Sequence, residues 1–426
     1  MKMIKILIPL HVFPTEKHIT TILLNNLKKS LDKKIQSKYF FFIYAQQNFE
    51  AELNDDILIY FNQFSNAVDV LKKIKPDIVF LNEDRSSIDL SFHIASEYLK
   101  IPVLCPINHI WLSGYRVSKK IIFSKLKFLI SGFISQTKDN SKDKNQFFGK
   151  KLAFLISTMK NSNCNFLKII TILLKLFISQ LSTKPMIFSK STNNLFRLET
   201  ESSIPILLKN RFPASNLVVT GNPIYDDIFQ RMNNFKQIKN NQKLQILFAP
   251  SQVFEDGIWN KQDSDTSFVE ILKILINNKD KFSTIVKIHP TSVNISDYQK
   301  LIKDNELNIQ IFQKESFLDL LEVCDIVIGY PANSTIFHSI LLAKKPVILC
   351  NFFNNGTCEF LQKKLAFECK SPQKLVETIF NAINNNPSTS KNATDFTAEY
   401  YYKFDGLASE RLASALISFL NKSKIT

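Results

Sequence analysis

Glycine is scarce in this 426-residue chain, at eight residues, and proline is modest, at fifteen. So little of both argues against a fibrous or disordered chain. Cysteine is sparse as well: six residues, at 105, 164, 324, 350, 358 and 369, with no Cys-x-x-Cys pair. Four of them lie in or beside apolar runs, so buried free thiols in a reducing cytosol are expected, with neither a zinc site nor a disulfide framework. The chain does not open on a long apolar run. That of MKMIKILIPLHVF is short, interrupted by Lys5 and without a small-residue cleavage site, and it reads as a first strand and not a signal peptide. There is no internal repeat.

What is present is enough apolar sequence, 45%, and enough length for two domains with separate cores. The net charge of +16 is uneven. Residues 117–190 contain fourteen lysines, no arginine, no glutamate and two aspartates, so about one sixth of the chain carries twelve of the sixteen charges. The remainder is close to neutral, which argues against a general nucleic-acid binder.

Through residue 110, short apolar runs (MIKILIPL, KYFFFIYA, DILIYF, PDIVFLNED, IPVLCPINH) are interleaved with helical stretches (NAVDVLKKIK, SIDLSFHIASEYLK). NNLFRLE, a helix from about Ser202 and NLVVTGNP resume the pattern after the basic segment. Beyond the polar linker at 233–243, LQILFAP, FSTIVKIHP, IQIF, DIVIGYP, PVILCN and AFECK read as strands separated by helices, and GLASERLASALISFLN as a closing amphipathic helix. Short continuous apolar runs alternating with helices predict parallel, doubly wound sheets. The expected fold class is α/β: two Rossmann-like domains facing a cleft, with a basic helical insertion in the first. The expected boundaries are 1–232 for the first domain, with its insertion at about 117–190, 233–395 for the second, and 396–426 for a helical segment packing back on the first.

Ligands of such sheets bind outside the carboxyl ends of the strands, which directs attention to the residues after each strand. LQILFAP is followed by Ser251 and by Glu255, Asp256 and Gly257, an acidic pair that equally reads as a turn. FSTIV is followed by Lys287, His289 and Pro290. DIVIGYP is followed by Asn333, Ser334 and Thr335 at the start of a helix, where free N–H groups and the helix dipole suit a phosphate, although such residues are also ordinary N-caps. His289 is placed to donate to that phosphate or to a leaving group. In the first domain Glu83 and Asp84 directly follow a buried strand and lead the candidates for a general base, ahead of His11 and His109. The alternative is that this stretch caps the next helix.

KIHP, the later Ser-Thr pair after DIVIGYP, and KKPVIL beyond it resemble, in order and spacing, the GT-B glycosyltransferases of bacterial surface polysaccharides. The nearest groups are the capsule polysialyltransferases and the CDP-glycerol glycerophosphotransferases. That resemblance implies that His289, Ser334 and Thr335 hold the donor's phosphate, with Ser-Thr standing where the polysialyltransferases have Ser-Ser. Those families carry an acidic-glycine base motif in the first domain, so the role does not pass to Glu255 or Asp256. NLVVTGNPIYDDI and the stretch from NEDR to IPVLCPINH instead resemble the UDP-N-acetylglucosamine 2-epimerases, which share the fold. Their His-Arg-Glu-Asn motif is absent here, and His109 is followed by Ile-Trp where an acidic residue would be expected.

The leading expectation is transfer of a sugar or polyol-phosphate unit from a CMP-, CDP- or UDP-linked donor to a surface glycan or lipid-linked acceptor, with no metal and no other cofactor. An epimerase of nucleotide sugars and a non-catalytic scaffold at a membrane surface are the alternatives. The segment 117–190 has two readings: helices packed on the first domain with solvated lysines, or a peripheral contact with anionic lipid at the inner face of the cytoplasmic membrane. Aliphatic interleaving without arginine argues against nucleic acid.

Overall fold

The computed structural model describes residues 3–10, 19–44, 56–81, 86–107, 144–181, 191–235, 243–254, 259–289, 294–331, 340–354 and 358–423. The apolar runs of the first part become β1 (Ile4–Leu10), β2 (Ser37–Ile43), β3 (Ile57–Tyr60), β4 (Ile78–Phe80), β5 (Val103–Ile107), β6 (Asn194–Leu198) and β7 (Leu217–Val219). They form one parallel sheet in the order β3-β2-β1-β4-β5-β6-β7. Helices cover both faces, so the strands need apolar side chains on both sides. In β1 and β2, Leu7, Phe40 and Phe42 enter one core while Ile4, Ile6, Ile8, Tyr39, Phe41 and Ile43 enter the other.

The second part repeats the arrangement. Strands β8 (Leu244–Ala249), β9 (Phe282–Lys287), β10 (Ile311–Phe312), β11 (Ile326–Gly329), β12 (Val347–Cys350) and β13 (Phe367–Cys369) form a parallel sheet ordered β10-β9-β8-β11-β12-β13. The expected α/β class with two doubly wound sheets is therefore the observed one. All six cysteines are free thiols, and all but the half-buried Cys164 are buried.

The basic insertion contributes two described helices. Lys144–Asn161 is built into the first core: Phe154 lies among Phe42, Phe61 and Phe92, with ring centroids 5.2–6.3 Å away, and Thr158 Oγ1 accepts from the Ala67 amide at 3.0 Å. Phe166–Leu181 packs outside it on Leu90, Ile94, Leu155 and Met159. The apolar stretch at 121–134 lies outside the described residues. Among the described residues no helix is long and apolar enough to cross a membrane.

Two helices cross between the sheets. Ile224–Arg231, which precedes the expected boundary at 233, sends Ile224, Tyr225 and Ile228 into a core of the second sheet. Ala408–Ser423 returns to the first, where Leu412, Ala413, Leu416 and Leu420 join the core under β1 and β2. Asp226 joins the two. Its carboxylate accepts from the Ala408 amide at 2.9 Å, the Ser409 amide at 2.8 Å and the Ser409 hydroxyl at 2.6 Å, satisfying donors that the first turn of a helix leaves open. Arg411, one turn on, holds Asp405 through two bonds of 2.9–3.0 Å and the Thr220 carbonyl at 2.9 Å.

Replacing Asp226 by alanine strands these buried donors. Asp226→Ala is expected to lower stability by about 2–4 kcal/mol in urea unfolding, with Asp226→Asn, which keeps one acceptor oxygen, losing less.

Candidate functional site

In the second sheet β8 lies between β9 and β11, and here the strand order reverses. This is the switch point at which ligands of such sheets bind. The register pairs Phe248 with Val286 and Ala249 with Gly329. The segments after β8, β9 and β11 consequently leave the sheet side by side, bringing Ser251, His289 and Tyr330 to one edge.

Ser251 is buried, and among the described residues its hydroxyl has no hydrogen-bond partner; neither has the Oε1 of Gln252. The chain turns sharply here, with the Val253 amide donating to the Ser251 carbonyl at 2.8 Å, and returns where the Trp259 amide donates to the Val253 carbonyl at 2.9 Å. Tyr330 follows β11. Its ring packs on Trp259 and Phe248, with centroids 4.7 and 6.0 Å away, but its buried hydroxyl reaches no partner among the described residues. Burial holds this phenol well above its usual range, so it is a neutral donor. Three polar atoms without partners among the described residues are unusual in a packed interior, and the segments that carry them leave the strands at the switch point.

Lys287 ends β9. It is buried, and its ammonium donates to the carbonyls of Ile288 at 2.9 Å and Gln313 at 2.8 Å. Gln313 in turn donates through Nε2 to the His289 carbonyl at 3.1 Å, and the Ile288 amide donates to Phe312 O at 2.9 Å. The lysine therefore fastens the end of β9 to the end of β10 and fixes the backbone of the half-buried His289. Burial lowers its pKa to about 8, against the opposing pull of the Glu315 carboxylate. Pro290, Asn333, Ser334 and Thr335 lie outside the described residues, as do Glu255, Asp256 and Gly257.

In the first sheet the corresponding switch point lies between β1 and β4. Glu83 and Asp84 after β4, His11 after β1 and His109 after β5 lie outside the described residues. Ser86, which follows, is the N-cap of the helix Ser87–Leu99, accepting from the amides of Ile88 and Asp89 at 3.2 and 3.3 Å. One turn in, the fully buried Asp89 accepts from the Tyr44 hydroxyl at 3.4 Å. Neither Asp89 nor Tyr330 stood out in the sequence, because each sits inside a hydrophobic stretch and only the fold shows where it points.

Elsewhere on the first sheet, Arg197 on β6 is buried and donates to the Gly221 carbonyl at 3.3 Å, with Glu199 3.9 Å from its guanidinium. Glu199 also accepts from Asn222 at 2.7 Å. Burial lowers the arginine's pKa and Glu199 opposes the shift. The crevice beside this group, lined by Glu199, Asn222, Tyr225 and Tyr402 among others, offers about 10 Å³, room for a single water and not for a nucleotide. Its charges hold the crossing between the sheets together. Among the described residues no cluster of histidine, cysteine and carboxylate side chains has the makings of a metal site.

No protein-family model matches the chain, and no curated protein does. Solved structures do resemble it along its whole length. A protein from Listeria monocytogenes, provisionally assigned as a UDP-N-acetylglucosamine 2-epimerase, superposes with a TM-score of 0.58 at 14% identity, covering 99% of this chain and 98% of that one. The UDP-GlcNAc 2-epimerase of Methanocaldococcus jannaschii, solved with UDP-GlcNAc and UDP, gives 0.53 at 16% identity over 98% and 100%. That of Neisseria meningitidis, bound to UDP-GlcNAc, gives 0.51 at 15% over the same shares. Likeness at such identities shows the fold: this chain has the two-domain GT-B architecture.

Two substitutions examine the site without substrate. Tyr330→Phe removes a buried hydroxyl that has no partner, and is expected to raise the stability of the ligand-free protein by about 1–2 kcal/mol in thermal or urea unfolding. Lys287 concerns pH. Its folded-state pKa lies below the ordinary 10.5, so the unfolded chain holds the proton more tightly. The resulting penalty on folding is in full force below pH 8 and fades as pH rises towards 10.5. Relative to Lys287→Met, the native protein is expected to gain about 3 kcal/mol across that interval, measured as paired unfolding curves.

Proposed function

We propose that the chain is a nucleotide-sugar enzyme. In this reading the second domain, 233–395, holds the diphosphate of the activated sugar against the ends of β8, β9 and β11, and the first, 1–232, presents the reacting partner. The observation that carries it is the convergence of three neighbouring strand ends at the switch point, with His289, Ser251 and the unpartnered Gln252 and Tyr330 atoms on the segments that leave them. The segment with Asn333, Ser334 and Thr335 follows the third of these strands, and the helix start that the sequence predicts there would complete the phosphate contacts. Lys287 is assigned to positioning His289 and not to the phosphate itself.

Two chemistries suit this arrangement. The full-length likeness to UDP-GlcNAc 2-epimerases supports inversion at C2 of a UDP-linked N-acetyl sugar, and supports it better than transfer. The absence of a His-Arg-Glu-Asn motif from the sequence weighs the other way. Transfer to a surface glycan or lipid-linked acceptor draws on the KIHP and Ser-Thr pattern. Both reactions need a base: one to take the C2 proton, the other to take the acceptor hydroxyl's. In each, Glu83 and Asp84 at the end of β4 are the groups we assign to that role.

A single incubation separates them. With UDP-GlcNAc and no acceptor, an epimerase yields the C2 epimer, whereas a transferase leaves the sugar unchanged and releases UDP only when an acceptor glycan is added. In either case the native protein's melting temperature is expected to rise with UDP, CDP or CMP, since a ligand at a hundred times its Kd adds about 2.7 kcal/mol. No shift with any nucleotide would favour the scaffold reading. His289→Ala should keep the fold, because Gln313 and Lys287 grip the backbone there, yet lose about 10²-fold or more in turnover. Full activity in that variant would remove His289 from the site.

A further inference from the structure

The helix Phe166–Leu181 is apolar on two faces, and only one of them is used. Ile169, Ile172, Leu173 and Leu176 pack against Leu90, Ile94, Leu155 and Met159. On the opposite side Phe166 and Leu167 are each 74% exposed, Ile170 38%, Leu174 56% and Ile178 59%. At about 100° per residue these five fall within an arc of about 120°, so they form a continuous stripe rather than scattered contacts. Lys168 and Lys175, both exposed, lie in line two turns apart, about 60–80° beyond one end of that arc. The partner helix Lys144–Asn161 adds exposed Lys150 and Lys160, and the two helices together contain six lysines and no acidic residue.

We propose that this face is a docking surface for an anionic lipid bilayer, with the helix lying in the plane of the interface. The stripe would sit at the boundary between head groups and acyl chains, and Lys168 and Lys175 among the phosphates. Sixteen residues span about 24 Å, less than the roughly 30 Å of a hydrocarbon core, so the helix lies on the membrane and does not cross it. Charge selects this occupant over a second copy of the chain, since an isologous contact here would set lysines against lysines with no carboxylate on either helix to offset them. The inference stands apart from the catalytic reading: it needs neither donor nor acceptor.

Sedimentation of the full chain with vesicles provides the test. Vesicles of equimolar phosphatidylglycerol and phosphatidylcholine should bind it, and pure phosphatidylcholine far less. Salt should weaken binding without abolishing it, because screening removes the lysine contribution but not the apolar one. Lys168→Gln with Lys175→Gln is expected to weaken binding to the anionic vesicles about thirtyfold at low salt. Leu167→Ser, Leu174→Ser and Ile178→Ser together should reduce it more than about 100-fold. These side chains are exposed, so an unchanged unfolding curve is expected for both variants and separates loss of binding from loss of fold. Failure of the native protein to bind at low salt, or unaltered binding by the serine variant, would overturn the proposal. So would self-association of the protein without lipid that disappears in the serine variant, because it would give the face to a second copy.

Discussion

The carboxylate of Asp226 fixes how the two halves of the molecule are joined. The chain leaves the first core once, through the helix Ile224–Arg231, and comes back once, through the helix that opens at Ala408. Both crossings meet at Asp226, which is buried and accepts three hydrogen bonds from the start of the returning helix. Charge-assisted bonds in a water-poor site are stronger and more directional than neutral ones. The backbone nearby is adapted to them. Gly221 and Gly406 both have positive φ, and a Cβ on Gly406 would stand 2.7 Å from the Phe229 ring. Thr200 donates to the Glu399 carbonyl at 2.8 Å, a further tie between the first domain and the returning chain.

With the crossings fixed, both sheets place their chemistry by the same rule. Each reverses its strand order beside its first strand, and the carboxyl edge at such a switch point is where ligands of doubly wound sheets bind. In the second sheet that edge is built against stability. Ser251, Gln252 and Tyr330 each bury a polar atom without a partner among the described residues, and each such group carries a desolvation penalty that an apolar residue of similar shape would avoid. Local rules broken together at the carboxyl edge of a parallel sheet fit a binding site. The neighbouring Lys287 is the opposite case: its buried ammonium has carbonyl partners, and its cost secures the position of His289.

The strands were readable from the sequence because parallel strands covered on both faces appear as short unbroken apolar runs, and each of those runs became a strand. The closing helix was readable for a related reason, its apolar face repeating every three to four residues. The helix Lys391–Tyr400 was not singled out, since it is mostly polar and buries only Ala393 and Phe396 on its inner side. The helix Lys261–Asn277 begins well before the apolar stretch that signals it, because Asn260 caps it through the Asp263 amide at 2.8 Å. At the site, proximity to a strand end pointed to Ser251 and His289, but direction was hidden. Lys287 reads as a cation aimed at a ligand until the Gln313 and Ile288 carbonyls are seen to hold it. Tyr330 reads as core until its hydroxyl is seen to have no partner.

The basic insertion ties these features together through the helix Ser87–Leu99. That helix starts at Ser86, directly beyond the end of β4, where the first sheet offers its candidate carboxylates. Along its length it turns Phe92 and Ala95 towards the sheet, and Leu90 and Ile94 towards the insertion. The helix Lys144–Asn161 is therefore a structural part of the first domain, through Phe154 and Thr158, and only the second helix of the pair carries the uncovered stripe. Composition alone could not divide the segment in this way, because both helices are rich in lysine and apolar residues; the division comes from which faces find partners. One helix thus runs from Ser86, six residues after the last residue of β4, to the helices that carry the lysines and the exposed apolar side chains. A membrane met at that surface would be held in a fixed relation to the end of β4.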